Sequence, residues 1–111
     1  MGVFIMEWRQ IEGFPQYVVS DTGLVQNVTT GRTLKPYCNG NGYLKVTLCN
    51  NGVKSRHFVH RLVGFAFVEG YKTGYTIDHI DTNRTNNTKS NLRWMSLAEN
   101  VALMHKNHKK C

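Results

Sequence analysis

The sequence contains few cysteines, and their number and spacing exclude two kinds of protein. There are 3 among 111 residues, namely Cys38, Cys49 and Cys111, and no two of them form a Cys-x-x-Cys pair. An odd number of unclustered cysteines argues against a disulfide framework, and we expect no structural zinc site with four cysteine ligands. Reduced cysteines are therefore predicted, and they are typical of an intracellular protein.

Long apolar runs and acidic side chains are also scarce. No apolar run approaches the roughly 18 residues of a transmembrane helix, and the apolar start over residues 1–6 is too short for a signal peptide. We therefore expect a cytoplasmic protein with no membrane partner. Only 7 Asp and Glu stand against 14 Lys and Arg, a formal net charge of +7. This charge favours nucleic acid as a partner, although a merely basic protein explains the charge alone equally well.

The N-terminal half consists of short β-rich runs separated by turns. Tyr17–Ser20 and Leu24–Val28 flank an Asp-x-Gly turn, which is a hairpin signal. Tyr43–Leu48 alternates as a strand does, and Ser55–Val59 is a further β-rich run. These runs predict a small antiparallel β-meander.

An amphipathic helix is predicted to follow the meander. Its apolar residues recur at i, i+3, i+4, i+7 and i+8, which places them on one face. They are Val59, Leu62, Val63, Ala66 and Phe67. We expect this face to pack against the sheet, so the predicted fold class is α+β. His60 lies off this stripe and could reach a phosphate, although a lone histidine at a helix start is more often structural.

The stretch over residues 76–104 carries the side chains suited to chemistry. Its β-branched start predicts a strand over Thr76–Ile80, and the alternation of Leu92–Met95 predicts a second strand. Residues 82–90 contain no apolar side chain and are expected to form a loop rich in asparagine. Ser96 and the glutamate three residues later form a capping box, so a helix should begin at Ser96.

Four polar residues of this stretch suit a one-metal site for phosphodiester cleavage. The carboxylate of Asp78 and the amide oxygen of Asn100 are hard ligands suited to Mg²⁺ or Mn²⁺. His79 has an ordinary pKa near ~6.5, so it can take a proton from water at neutral pH. Asn91 could orient the imidazole by accepting a hydrogen bond from its other nitrogen. Such a base can activate the attacking water while the metal stabilises the departing oxygen.

Each of these residues also has a purely structural interpretation. His79 could be a buried core histidine, and Asn91 an ordinary loop residue. Asn100 could be an exposed helix residue, and Asp78 a surface residue. Adjacent residues of a regular strand face opposite sides. Asp78 and His79 can therefore share one site only if the strand is twisted or distorted there, or if the site lies at its edge.

The order Asp78-His79, Asn91-Leu92-Arg93-Trp94 and Asn100 resembles the HNH endonucleases of the ββα-metal, or His-Me finger, superfamily. The resemblance implies that His79 is the general base and that Asn91 positions it. It also implies that Asp78 and Asn100 hold one divalent cation, with Mg²⁺ or Mn²⁺ expected. An asparagine as the last residue of the motif occurs in some phage homing endonucleases.

The residues before the helix resemble NUMOD4, a module that often precedes HNH motifs in phage endonucleases and is taken to contribute to DNA binding. The segments that carry the resemblance include 8–14, 17–23 and 31–36. We therefore divide the chain into a NUMOD4-like, β-rich module over residues 7–57, a helix with the HNH motif over 58–104, and a basic tail over 105–111.

Basic side chains on strands, turns and the helix could reach DNA phosphates. The candidates are Arg32, Lys35, Lys45, Lys54, Arg56, Arg61, Lys72 and Arg93. For any one of them, an ordinary solvated charge is about as good an explanation.

The predicted function is that of a metal-dependent DNA endonuclease of phage type, acting in an infected bacterial host. One site cuts one strand, so a monomer should nick DNA, and a double-strand break should require a homodimer. A partner phage protein is a further possibility for this short chain. The alternative function is a DNA- or protein-binding accessory module that retains the scaffold without cutting. The sequence retains both a candidate general base and two candidate metal ligands, which favours the enzyme.

Overall fold

The computed structural model describes residues 5–38, 40–96 and 98. Short strands surround one α-helix in this part of the chain. The elements are β1 (Trp8–Ile11), β2 (Phe14–Ser20), β3 (Val25–Asn27), β4 (Arg32–Thr33), β5 (Tyr37–Cys38), β6 (Leu44–Asn50), β7 (Val53–Phe58), α1 (Val59–Phe67), β8 (Thr76–His79), a 3₁₀ turn (Lys89–Asn91) and β9 (Leu92–Met95). The predicted α+β class is confirmed.

The strands form three antiparallel sheets. The first has the order β1-β2-β3-β4, the second the order β5-β6-β7, and the third is the hairpin β8-β9. The N-terminal half is therefore two sheets rather than the single meander that the sequence predicts. Pro36 stands at the break, because proline has no N–H to donate to a strand ladder, and the second sheet begins at Tyr37.

The helix and the hairpin agree with the sequence prediction. α1 covers the whole apolar stripe, and β8 and β9 are the two predicted strands of the HNH motif. The edge strand β1 is not predicted, because its first three residues are all exposed and show no alternation. The helix predicted to begin at Ser96 and the basic tail over 105–111 lie outside the described residues.

One hydrophobic core joins the three sheets through α1. Val59 and Val63 of the helix are 1% and 0% exposed, and they pack in a cluster with side chains from every sheet. The cluster consists of Ile11, Tyr17, Val19, Val25, Val46, Leu48, Val59, Val63, Ile77, Leu92 and Trp94. These shared apolar contacts fix the β8-β9 hairpin relative to both N-terminal sheets.

Gly64 is the point of close approach between α1 and the hairpin. A Cβ at this position would overlap Ile77 Cδ1 and would lie 3.0 Å from Trp94 Cζ2. We expect Gly64→Ala to lower the free energy of unfolding by about 1–3 kcal/mol, because overpacking outweighs the better helix propensity of alanine. Urea unfolding measures this change, with the exposed helix substitution Arg61→Ala as the control. Unchanged stability of Gly64→Ala would contradict this docking of the hairpin.

Two sequence expectations concern cysteines and membranes. Cys49 is a free cysteine, whereas Cys38 is disulfide-bonded, so the prediction of reduced cysteines is wrong for Cys38. Among the described residues, no helix is long and apolar enough to span a bilayer.

Candidate active site

His79 is the last residue of β8, and its side chain is buried. β8 pairs with β9 in regular antiparallel register, with Asp78 opposite Arg93 and His79 opposite Leu92. His79 is 5% exposed, whereas Asp78 lies on the other side of the strand, where it contacts Arg93. The pairing is regular here, so the two residues can serve one site only at the end of the strand, where β8 stops.

The imidazole of His79 is held by Asn87. His79 Nε2 and Asn87 Oδ1 are 2.7 Å apart, and the two side chains are 5% and 4% exposed. Because an amide oxygen can only accept a hydrogen bond, Nε2 carries the hydrogen and Nδ1 keeps its lone pair. Asn87 therefore selects the tautomer in which Nδ1 is the basic nitrogen.

Burial favours the neutral form of His79. Desolvation lowers the pKa of His79 below its ordinary value of 6.5. The Asn87 hydrogen bond and the carboxylates of Asp78 and Asp81 raise this pKa without cancelling the shift, and the charge of Arg84 lowers it. The imidazole is therefore mostly neutral at pH 7, and the neutral form is the one that accepts a proton.

Asn91 braces the loop instead of the imidazole. Its Nδ2 donates to Asp81 Oδ1 and to the Asn86 carbonyl, each at 2.9 Å, and its Oδ1 accepts from the Asp81 backbone N–H at 2.9 Å. Among the residues that the structure describes, no hydrogen bond joins Asn91 to His79. The predicted contact is replaced by that of Asn87, because the loop turns Asn87 inward and commits Asn91 to Asp81.

The burial of Asn87 depends on the first sheet. A Cβ on Gly23, in the turn between β2 and β3, would lie 3.0 Å from Asn87 Cβ. The Lys89 N–H also donates to the Asp21 carbonyl of the same turn, at 2.8 Å. From the sequence, Asn87 is predicted only to be a loop residue. No local pattern in residues 82–90 shows which asparagine the turn between β2 and β3 buries.

Asp78 offers a carboxylate on the outer side of β8. Arg93 Nε donates to Asp78 Oδ2 at 3.0 Å, with side-chain exposures of 49% for Arg93 and 15% for Asp78. The other predicted ligand, Asn100, lies outside the described residues, and within them no group of three His, Cys, Asp or Glu could hold a metal ion. Magnesium usually takes only one or two protein ligands and keeps water and phosphate oxygens, so a carboxylate with an amide suits it.

A second histidine lies beside His79. His60, at the start of α1, is 7% exposed, and its ring centroid is 5.2 Å from that of His79. Burial, together with the charges of His79 and Arg61, lowers the pKa of His60 to about 3. His60 is therefore neutral and covered, and it is not placed to reach a phosphate.

Three of the predicted DNA-contacting residues share one face of the second sheet. Lys45, Lys54 and Arg56 lie on the outward face of β6 and β7, opposite the face that buries Val46 and Leu48. The remaining candidates are exposed on other parts of the chain: Arg32, Lys35, Arg61, Lys72 and Arg93. Three of the eight predicted DNA-contacting side chains thus form one basic face, and the other five lie away from it.

Two family models match this chain. The NUMOD4 motif matches residues 6–49, and an HNH endonuclease family matches residues 57–102. The chain combines a NUMOD4 motif with an HNH motif. Both resemblances predicted from the sequence are confirmed, and the four residues predicted to form the metal site and its base all fall within the HNH match.

Known phage endonucleases are similar to most of this chain. DNA endonuclease I-HmuI of Bacillus phage SP01 is 42% identical over 97 residues, which are 86% of this chain and 56% of that protein. H-N-H endonuclease F-TflI of Escherichia phage T5 is 29% identical over 106 residues, or 93% of this chain and 54% of that protein.

A solved structure described as DNA binding and cleavage by the HNH homing endonuclease I-HmuI matches with a TM-score of 0.86 and 40% identity. The match covers 91% of this chain and 59% of that chain. This chain therefore shares the fold of its relative and spans little more than half of the relatives' length.

Proposed function

We propose that this chain is a metal-dependent HNH endonuclease of phage type that hydrolyses DNA phosphodiester bonds. The observation that best supports the proposal is the buried His79–Asn87 pair within the HNH match. A neutral histidine held in one tautomer meets the requirements for a general base that activates water. The similar phage proteins are themselves named endonucleases.

The residues of the chain would carry the proton in this reaction. His79 Nδ1 takes a proton from a water molecule as the water oxygen attacks the phosphorus. Asn87 Oδ1 continues to accept the Nε2–H bond, which is strengthened when the ring becomes an imidazolium. The negative charges of Asp78 and Asp81 also favour the charged ring.

Asp78 and Asn100 would hold one divalent cation, with Mg²⁺ or Mn²⁺ preferred, and such a cation would supply positive charge to stabilise the departing oxygen. Arg93 binds Asp78 through Oδ2. Among the described residues Asp78 Oδ1 has no hydrogen-bond partner, so this oxygen is the one available for the cation. Asn91 would support the site indirectly, by keeping the loop that carries Asn87 closed.

DNA would lie along the basic outward face of β6 and β7. Lys45, Lys54 and Arg56 would contact phosphates, which positions the duplex without reading its sequence. Residues 7–57 would bind DNA and residues 58–104 would catalyse its cleavage. Residues 105–111 would add further phosphate contacts. A monomer would nick one strand in the host cytoplasm, and a homodimer or a partner phage protein would be needed for a double-strand break.

Supercoiled plasmid should be nicked by the wild-type chain with Mg²⁺ or Mn²⁺ and should stay intact in EDTA. Asp78→Asn removes the charge with little change in size, and we expect it to slow nicking roughly 10²-fold or more. The exposed carboxylate substitution Glu12→Gln is the matched control and should leave the rate unchanged. Binding of the plasmid without cleavage in either metal would instead support the non-cleaving accessory module.

A further inference from the structure

His60 is a buried polar residue that the proposed mechanism does not use. It is the second residue of α1 and comes 19 positions before His79 along the chain. The two rings meet edge to face, with centroids 5.2 Å apart and an interplanar angle of 67°. The helix that packs against the hairpin thus brings a second imidazole against the proposed general base.

Two further rings pack against His60 and form an aromatic cage with it beside His79. The ring centroid of Tyr43 is 5.1 Å from that of His60 and 6.0 Å from that of His79. The Phe58 ring centroid is 5.0 Å from that of His60. We use the name aromatic cage for Tyr43, Phe58 and His60, which come from the turn before β6, from β7 and from α1.

The cage supplies a restraint that the hydrogen bond to Asn87 lacks. One hydrogen bond at Nε2 fixes a distance, but the imidazole can still rotate about that contact. Flat rings against its face and edge block this rotation and set the direction in which Nδ1 points. Direction matters, because misplacing a reacting group by about 1 Å can cost about 10²-fold in rate.

The ring nitrogens of His60 do not stabilise the cage, so His60 contributes to it as a flat ring. His60 Nδ1 is buried without a hydrogen-bond partner among the described residues, and such an atom loses its hydration without compensation. Phenylalanine would fill the same space without this loss. Burial also keeps His60 uncharged, with a pKa of about 3, so the ring places no positive charge beside the imidazolium that forms on His79.

We propose that His60 is a positioning residue, whose ring, together with Tyr43, holds the His79 imidazole with Nδ1 directed toward the attacking water. This inference rests on the proposed endonuclease function. The role belongs to the flat, uncharged ring of His60, and it is exerted through His79 without contact with DNA.

The variants His60→Ala and His60→Phe test this role in the full chain. We expect His60→Ala to lower kcat for plasmid nicking by about 10–100-fold with KM and DNA affinity unchanged, because orientation acts on the chemical step. His60→Phe should restore kcat to near the wild-type value and should unfold at a higher urea concentration. His60→Leu, which fills the space without a flat ring, replaces His60→Ala if the alanine variant does not unfold cooperatively.

Two results would overturn the proposal. The first is a wild-type kcat in the folded His60→Ala or His60→Leu variant. The second is a loss of kcat in His60→Phe as large as the loss in His60→Ala.

Imidazole ¹⁵N chemical shifts separate failure of this proposal from failure of the proposed function. The wild type should show His79 with hydrogen on Nε2 and sharp ring signals, and His60→Ala should show these signals broadened by ring rotation, which His60→Phe should reverse. This readout requires no cleavage, so it tests the restraint even if the wild type does not cut DNA. A wild-type His79 spectrum in His60→Ala would reject the inference independently of any activity.

Discussion

The His79→Ala variant is expected to nick supercoiled plasmid about 10³-fold more slowly than the wild type at the same Mg²⁺ concentration. General bases contribute about 10²–10⁴-fold to such reactions, and alanine removes the only group of β8 that can take a proton near neutral pH. DNA affinity should be retained, because His79 is 5% exposed and offers little surface to the duplex.

His57→Ala is a matched control for the loss of an imidazole. His57 lies on β7, contacts Phe14 at a centroid distance of 4.9 Å and forms a 2.7 Å hydrogen bond with Ser55. It takes no part in the proposed reaction, so its variant should cleave at the wild-type rate. Equal rates for His79→Ala and the wild type would reject His79 as the base.

The pH profile follows from the same assignment. Burial lowers the pKa of His79 below 6.5, and the protonated ring cannot accept the proton of water. The nicking rate should therefore rise with pH on the acid side, with its midpoint below pH 6.5, and become constant once the ring is neutral. The residual activity of His79→Ala should lack this rise.

The second large effect is expected at Asn87 and should differ in kind from the effect at Asn91. Asn87→Ala removes the acceptor that keeps hydrogen on His79 Nε2, so the imidazole can adopt the wrong tautomer and rotate. We expect a loss of roughly 10²-fold in kcat with little change in KM. Asn87→Asp keeps an acceptor at this position and should recover much of the rate.

Asn91→Ala is the informative comparison for Asn87→Ala. Asn91 makes three hydrogen bonds that close the loop, and its loss should lower the free energy of unfolding by about 1–3 kcal/mol. Single-turnover cleavage and urea unfolding, measured on both variants, separate the two roles. If Asn91→Ala lost more kcat than Asn87→Ala at unchanged stability, the positioning role would belong to Asn91 instead.

Local patterns in the sequence were sufficient for the elements that carry the HNH motif. The stripe over Val59–Phe67 predicts α1, because its period places all the apolar residues on one face. The β-branched and alternating runs predict β8 and β9, since each is paired only with the other and buries one face. The order of Asp78, His79 and Asn91 was likewise sufficient to indicate the HNH family.

The division of the N-terminal half into two sheets was decided by tertiary structure. Local patterns predict β2, β3, β6 and β7 there, although not β1, but strand partners depend on contacts between distant segments. Pro36 interrupts the ladder, and β6 pairs with β5 and β7 instead of continuing the first sheet. A sequence of short alternating runs is compatible with either arrangement.

Tertiary structure also decided which side chains surround His79. Asn86 and Asn87 are equivalent in type and lie in one polar loop, and the cover provided by the turn at Gly23 distinguishes Asn87. Asn91 follows in the 3₁₀ turn and is held by Asp81. His60 belongs to another element and reaches His79 because α1 packs on the hairpin. The sequence thus determined the residue types and the local elements, because periodicity and turn chemistry act over a few residues. The orientation of the base was decided by burial, which is shared among segments far apart in the chain.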